Sequence, residues 1–323
     1  ILGSFLGRIV LPVSNPSAEF GHWRTLYWIG IIPAILVLII RSRLKEAEKW
    51  QAAKESAGGV IRKQLGAFGD LFAPPWSRST IFGVILAVSG VLGLWGIGFW
   101  SFELIRSIDI DLTERETVVG NATMLQDVGA FLGIAAVTLF TQGAPREKVW
   151  TYVAGLIASA CTAVTAILLG AGTKDHAAAT AVLGVASAAG LYFLLVLAGA
   201  LGGGLGRRAS CALSFVAAYA ATMMVFRYMT EREQIYWMIP ILGFSTLLCF
   251  GMFAIYFPEL YPTRLRTTGT GFCYNVARYL AAVGLFGMGY LGRYADFRVS
   301  MLWFSVSPLL RSGSGLRLLW VQA

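Results

Sequence analysis

Long apolar runs separated by short polar loops dominate this sequence. The run Thr80–Phe102, for example, contains no charged residue. A helix needs about 20 consecutive apolar residues to cross the hydrocarbon core of a bilayer, and in that core only helices and closed barrels satisfy their backbone hydrogen bonds. Strands of a membrane barrel alternate between apolar and polar residues, whereas these runs are continuous. The sequence therefore predicts an all-α, polytopic transmembrane helical bundle.

The composition agrees with a membrane protein. Hydrophobic residues make up 57% of the 323 residues and charged residues 13%. A soluble domain is about 25% charged, so the composition excludes a soluble two-domain enzyme, and the long apolar runs exclude a coiled coil or a disordered chain. The candidate spans are Ile1–Pro12 (partial), Leu26–Ile40, Thr80–Phe102, Val118–Thr141, Val149–Ala171, Ala177–Leu205, Cys211–Phe226, Tyr236–Phe257, Gly269–Leu291 and Val299–Leu319.

The basic residues indicate which side of the membrane each loop occupies. The net charge is +9, but the lysines and arginines lie in short loops and are not interleaved on a soluble face, so no nucleic-acid partner is expected. The polar stretch 41–79 is rich in Lys and Arg, which are enriched in cytoplasmic loops. The loops assigned to its side by alternation carry more basic residues than the others. We therefore expect an integral, multi-pass protein of the plasma (inner) membrane, with loop 41–79 in the cytoplasm.

Motifs for enzyme chemistry are absent from the sequence. There is no Gly-x-x-x-x-Gly-Lys-Ser/Thr phosphate loop, which weighs against an ATP-driven pump. His22 and His176 lie far apart, without the spacing of metal ligands. Neither an enzyme, a cofactor nor a metal is expected. The cysteines lie in or beside apolar runs and are predicted to be small core residues: Cys161, Cys211, Cys249 and Cys273.

The most specific motif of the chain is the segment 257–266, FPELYPTRLR, followed by a Thr-Gly-Thr-Gly-Phe run, Tyr274, Asn275 and Arg278. This segment is very similar to the loop between helices ten and eleven of the major facilitator superfamily of secondary transporters. The segment 23–30, WRTLYWIG, resembles the sixth helix of that family, and the glycine-rich segment 201–208, LGGGLGRR, resembles its loop between helices eight and nine. The bilayer and a small-molecule substrate are the partners that this resemblance implies.

The resemblance implies a domain organisation with two departures. It assigns 1–40 to a remnant of the N-terminal half (part of helix five, and helix six), 41–79 to the central cytoplasmic loop and 80–323 to the C-terminal half. The chain starts at Ile1, within an apolar run, so we expect an N-terminal truncation. Five spans, where the family has three, lie between Thr80–Phe102 and Pro258, which predicts an extra helical hairpin around 142–200. An error in the gene model is an equal alternative. The tail after Phe297 departs from the family pattern, which suggests a shifted reading frame or a diverged end.

The resemblance also implies a function. We expect secondary active transport of a small polar solute by alternating access, coupled to protons, with an organic anion as first choice and a sugar as second. Two alternatives stay open. The first alternative is a transport-incompetent membrane fragment with a structural or interaction role. The second is a drug efflux antiporter.

Charged and polar residues inside the predicted spans are candidates for substrate binding or proton coupling, because charge within a membrane is costly. Asp127 shares one arc of its helix with Thr123 and Gln126, and Arg278 follows Tyr274 and Asn275 by about one turn. Such an arginine can hold a carboxylate bidentately. The alternative is a structural role for both residues, either in an Asp127–Arg278 ion pair or in pairings with backbone carbonyls. Two aromatic residues complete the candidate set, although interfacial anchoring or packing is the stronger explanation for both: Trp95 and Trp237.

A second set of charges lies in the predicted cytoplasmic loops. The resemblance implies that these charges form a network that closes the inner end of the bundle and breaks during alternating access. Topology signalling alone is the alternative. The set consists of Glu259, Arg264, Arg266, Arg207 and Arg208.

Overall fold

The structure is a computed structural model, and it describes residues 68–170 and 176–291 together with six isolated positions: Trp28, Ile31, Ile35, Val37, Ile40 and Arg298. Over the two described ranges the chain is helical and has no strand. The predicted spans Ile1–Pro12, Leu26–Ile40 and Val299–Leu319 lie outside these ranges. The prediction of an all-α helical bundle is confirmed.

Seven long helices follow one another through the described ranges. They are α1 (Ser77–Arg106), α2 (Leu112–Gln142), α3 (Val149–Gly170), α4 (His176–Gly202), α5 (Arg207–Tyr228), α6 (Arg232–Tyr256) and α7 (Arg266–Leu291). Three short 3-10 helices accompany them: Phe68–Leu71, Arg146–Lys148 and Phe257–Leu260. Helices α1 to α6 are long and apolar enough to cross a membrane, so the chain is a multi-pass membrane protein.

Helix α6 is the most deeply buried helix of the described part and packs against α2, α4 and α5. Glycines bring its backbone close to that of α2. A Cβ at Gly129 of α2 would overlap the carbonyl of Pro240, and a Cβ at Gly243 of α6 would overlap the carbonyl of Gln126. Because lipid and protein interior are similarly apolar, close backbone approach of this kind is a main source of helix association in membranes.

Helices α3 and α4 form a hairpin at the residues where the sequence predicts one. The two helices differ in their surroundings. Helix α4 also packs against α2 and α6, and a Cβ at Gly199 would approach the Leu139 carbonyl. Helix α3 packs, among the described elements, mainly against α4, and most of its residues are exposed. Only one helix of the hairpin is therefore peripheral, and its status as an addition to the superfamily pattern stays a prediction.

The helix termini gather at two ends of the bundle. We call the end that contains 68–77, 142–149, 202–207 and 256–266 the motif end, because the FPELYPTRLR segment lies there. The opposite end contains the connections 107–111 and 229–231. The two larger of the three apolar cores in the described part lie toward opposite ends. The motif-end core includes Phe253, Phe257 and Leu265, and the opposite-end core includes Leu104 and Ile105.

Candidate functional site: the motif end and a neighbouring cavity

Two turns at the motif end pack directly on each other: the turn before Arg146, which contains Gly143, and the turn before α5, which contains Gly203 and Gly204. Gly143, Gly203 and Gly204 adopt positive φ angles of +91°, +72° and +91°, a conformation that side chains with a Cβ rarely adopt. Arg146 donates from Nε to the carbonyl of Ala200 at 3.2 Å, which satisfies a carbonyl at the end of α4. The glycine-rich segment is therefore a tight turn whose geometry delivers Arg207 to the start of α5.

Two ion pairs join segments that are distant in sequence at this end. Arg207 Nε lies 2.7 Å from Glu259 Oε2, and Arg264 Nη1 lies 3.0 Å from Asp70 Oδ2. All four side chains are at least one-third exposed, so each pair contributes about 0.2–1 kcal/mol. The structure thus brings together two members of the predicted charge set, Glu259 and Arg207.

The other two arginines of the predicted set are placed differently. Arg208 and Arg266 are both exposed, and neither has an ion-pair partner among the residues that the structure describes. Arg264 pairs with an acid that the sequence analysis did not single out. Asp70 lies in the 3-10 helix just before α1. The sequence signal that could have identified it is its place as an acidic residue at the end of a basic loop.

A small cavity lies halfway along the bundle, between α1, α5 and α6. Its volume is about 50 Å³, and its lining is mostly apolar. The Ser89 hydroxyl donates to the Ile85 carbonyl at 3.0 Å and the Thr222 hydroxyl to the Ala218 carbonyl at 2.7 Å, so the two oxygens can still accept hydrogen bonds from a guest. Gly93 faces open space, because a Cβ there would have no neighbour within 4 Å. The cavity suits a small, largely apolar group or a few waters.

The predicted residues of α2 lie together on one half-buried stretch, away from the cavity lining. The Thr123 hydroxyl donates to the Val119 carbonyl at 2.8 Å. Gln126 Oε1 is buried and accepts no hydrogen bond within the described residues. Asp127 is half-buried beside it. This stretch therefore offers a carboxylate and an amide oxygen at mid-helix.

The predicted residues of α7 form a separate group. Arg278 is exposed and its guanidinium carbon lies 4.8 Å from the centre of the Tyr274 ring, a cation–π contact. Asn275 Nδ2 donates to the Gly271 carbonyl at 2.8 Å. Tyr274 packs edge-on against Phe250, a residue of the cavity lining, with ring centres 5.6 Å apart. The α7 group therefore reaches the cavity wall through Tyr274.

An Asp127–Arg278 ion pair, one alternative from the sequence, is not formed among the described residues. The two helices that carry these residues are not among the closely packed pairs. Trp95 stacks on Phe99 at 5.6 Å and is 40% exposed, while Trp237 is half-buried against the opposite-end core. The structure therefore does not bring the predicted substrate residues into one pocket.

The comparisons with known proteins give one relative. No protein-family model and no solved structure matches the chain. A protein of Cupriavidus pinatubonensis (strain JMP 134 / LMG 1197) named "Probable 4-methylmuconolactone transporter" is 23% identical over 302 residues, which cover 92% of this chain and 53% of that relative. The chain therefore spans about half the length of the curated relative it matches. The name describes a transporter, which agrees with the expectation that the chain is not an enzyme.

Proposed function

We propose that this chain acts in secondary active transport of a small organic anion. The observation that carries the proposal is its similarity, along 92% of its length, to a protein named as a transporter. The bundle of membrane-spanning helices is the architecture that such a function requires. The superfamily resemblance of the FPELYPTRLR segment supports the same proposal and adds alternating access as the mechanism.

The substrate class follows from the chemistry of the named solute. A muconolactone keeps one carboxyl group of muconic acid after the other has closed the lactone ring, so it is an anion at neutral pH. Arg278 is the candidate partner, because a guanidinium binds a carboxylate through two parallel hydrogen bonds. An exposed arginine at mid-helix is also costly against lipid, which favours a polar surface opposite this face of α7.

Coupling to protons is assigned to Asp127. It is half-buried at mid-helix in α2, beside the unsatisfied Gln126 Oε1. Carboxylates inside membrane-spanning helices mark proton pathways in pumps and transporters. The Arg207–Glu259 pair supplies a contact that closes the motif end in one state. The basic residues of loop 41–79 are the reason for proposing a cytoplasmic position for that loop.

Uptake by the purified chain in proteoliposomes tests the proposal. Labelled 4-methylmuconolactone is offered with and without an inward proton gradient, alongside glucose and a cationic dye as representatives of the other substrate classes. We expect accumulation of the lactone above its external concentration, lost on addition of a protonophore. Uptake of glucose or the dye instead would reassign the substrate class, and no uptake of any solute would refute transport by this chain.

Variants then test the two residue assignments separately. Arg278→Gln removes the cation but keeps hydrogen-bonding capacity, and we expect a raised KM for the lactone. Asp127→Asn removes the titratable group, and we expect exchange of lactone to continue while accumulation driven by the gradient stops. Unchanged KM in the first variant, or unchanged accumulation in the second, would contradict that assignment alone.

A further inference from the structure

Three buried side chains from separate segments meet at the motif end, and we call them the Tyr261 cluster. Tyr261 precedes α7, Thr80 lies in the first turn of α1, and Cys273 lies in the second turn of α7. The Tyr261 hydroxyl lies 3.1 Å from Thr80 Oγ1 and 3.2 Å from Cys273 Sγ. Thr80 Oγ1 lies 2.8 Å from the carbonyl oxygen of Leu71, just before α1. The cluster therefore links the entries of α1 and α7.

The hydrogen bonds of the cluster form a chain from the Cys273 thiol to the Leu71 carbonyl. A carbonyl can only accept, so the Thr80 hydroxyl donates to Leu71. Thr80 Oγ1 then accepts from the Tyr261 hydroxyl, whose oxygen accepts from the Cys273 thiol. Burial raises the pKa of the Tyr261 phenol above its ordinary value, which keeps its proton in place at neutral pH. Each proton has an acceptor, and the thiol forms the weakest of the three bonds.

Two glycines make room for these side chains. A Cβ at Gly269 of α7 would lie 2.5 Å from the Tyr261 ring, and a Cβ at Gly83 of α1 would lie 2.9 Å from Cys273 Sγ. The two helices are therefore shaped around the cluster. Cys273, with 0% of its surface exposed, is enclosed between α1 and the Tyr261 ring.

Helix α7 depends on few neighbours for its position. Among the described elements it packs mainly along α1 and against the Phe257–Leu260 turn, with ring contacts to Phe72 and to Phe250 of α6, and much of its remaining surface is exposed. The connection before α7 is held from outside by the Arg264–Asp70 pair. Because an exposed ion pair contributes little, the buried cluster is the stronger polar link between the two helix entries.

We infer that the Tyr261 cluster is a conformational latch, and that Cys273 becomes open to aqueous thiol reagents only when the latch is released. Release separates the first turns of α1 and α7 while the rest of the bundle stays packed. Local opening of this kind is drawn from segments with few buried contacts. The inference goes beyond the proposed function, since it concerns a helix movement that can be measured without any solute.

The test follows the rate at which N-ethylmaleimide modifies each native cysteine of the full chain in proteoliposomes, read by peptide mass spectrometry. Tyr261→Phe keeps the ring against Gly269 and removes the hydroxyl. We expect modification of Cys273 to become about tenfold faster, because the two hydrogen bonds of that hydroxyl are lost. The buried thiols of Cys211 and Cys249 should keep their slow rates, because they lie outside the latch.

A second variant and a control complete the experiment. Thr80→Val removes the hydrogen-bond acceptor of Tyr261 at nearly constant side-chain volume. It should accelerate the modification of Cys273 in the same way, and it provides the test if Tyr261→Phe fails to fold. Tyr279→Phe makes the same chemical change on the exposed face of α7 and should change nothing. An unchanged Cys273 rate in the folded variants, or an equal rise at Cys211 and Cys249, would overturn the latch. Failed uptake with an accelerated Cys273 would refute the proposed transport and leave the latch standing.

Discussion

The two ends of the helical bundle both have an apolar core and exposed ion pairs, but the motif end also has a buried polar cluster. At the opposite end, large side chains such as Leu104, Ile105, Phe226 and Ile235 are fully buried in one apolar core. At the motif end a comparable core exists, and the buried Tyr261 cluster joins its connections in addition to two exposed ion pairs. The opposite end has exposed ion pairs as well, among them Arg232–Glu114 at 2.7 Å. Apolar packing is lost only when the whole core loosens, whereas a polar contact can break and re-form singly. Because the Tyr261 cluster can break without loss of the apolar core, we expect a change of conformation to be least costly at the motif end.

The largest expected effect comes from the opposite-end core. Leu104→Ala removes a fully buried side chain and leaves a cavity. We expect a loss of about 2–5 kcal/mol in the free energy of unfolding, measured by denaturant titration of the purified protein in micelles. The exposed Leu112, just beyond this core, provides the control, since Leu112→Ala should change stability little. Equal losses of stability in both variants would contradict the assignment of the opposite-end core as the main source of stability at that end.

A pair of glycines in α1 shows where tight packing ends along that helix. A Cβ at Gly90 would overlap the Phe253 ring of the motif-end core, whereas Gly93 faces the cavity. We expect Gly90→Ala to cost about 1–3 kcal/mol through overpacking. Gly93→Ala should instead stabilise by about 0.5–1 kcal/mol, because alanine favours the helix. Thermal unfolding of the two variants measures both changes, and a loss of stability in Gly93→Ala would show that the cavity is closed at that position.

The motif-end ion pair should affect transport more than stability. Arg207→Gln removes the partner of Glu259 and is expected to lower stability by at most about 1 kcal/mol. The uptake rate should change up to about fivefold, because the closed state loses that contact. Arg208→Gln, one residue along and without an ion-pair partner in the described part of the chain, is the matched control. The exchange Arg207→Glu with Glu259→Arg should restore the rate, and an equal effect of both glutamine variants would contradict a specific role for the pair.

The smallest effect is expected for the ion pairs of Arg106 at the opposite end. Arg106 lies 3.6 Å from Glu116 and 3.9 Å from Glu103, with all three side chains about half exposed. We expect Arg106→Gln to change the free energy of unfolding by less than about 0.5 kcal/mol and to leave uptake unaltered. A change in uptake as large as that of Arg207→Gln would erase the distinction between the two ends.

Much of the helix layout could be predicted from the sequence, but not the helix ends. The run Val118–Thr141 corresponds to α2, which starts six residues earlier at Leu112. The added turns contain Glu114 and Glu116, which continue the helix beyond the apolar stretch. Hydropathy reports the part of a helix that suits lipid, whereas backbone hydrogen bonding continues through charged residues until a turn ends it.

The candidate site was predicted only in part. The superfamily resemblance placed Glu259 near Arg207, and the two side chains are 2.7 Å apart. It gave no role to Asp70, Thr80 or Tyr261, because no local pattern links residues so far apart in sequence: Thr80 and Tyr261, for example, are 181 positions apart. The proposed roles of Asp127 and Arg278 stay predictions.

The sequence by itself determined that the chain crosses a membrane repeatedly, and where most of the described helices lie, because bilayer thickness converts directly into the length of an apolar run. Only the tertiary structure decided that α6 is central, that α3 is peripheral and that α7 rests on α1. The physical reason is that helices which are apolar on every side give no periodic signal of the face that packs. The packing face is set by small residues that allow a neighbouring backbone to approach closely, as Gly243 allows for the backbone at Gln126.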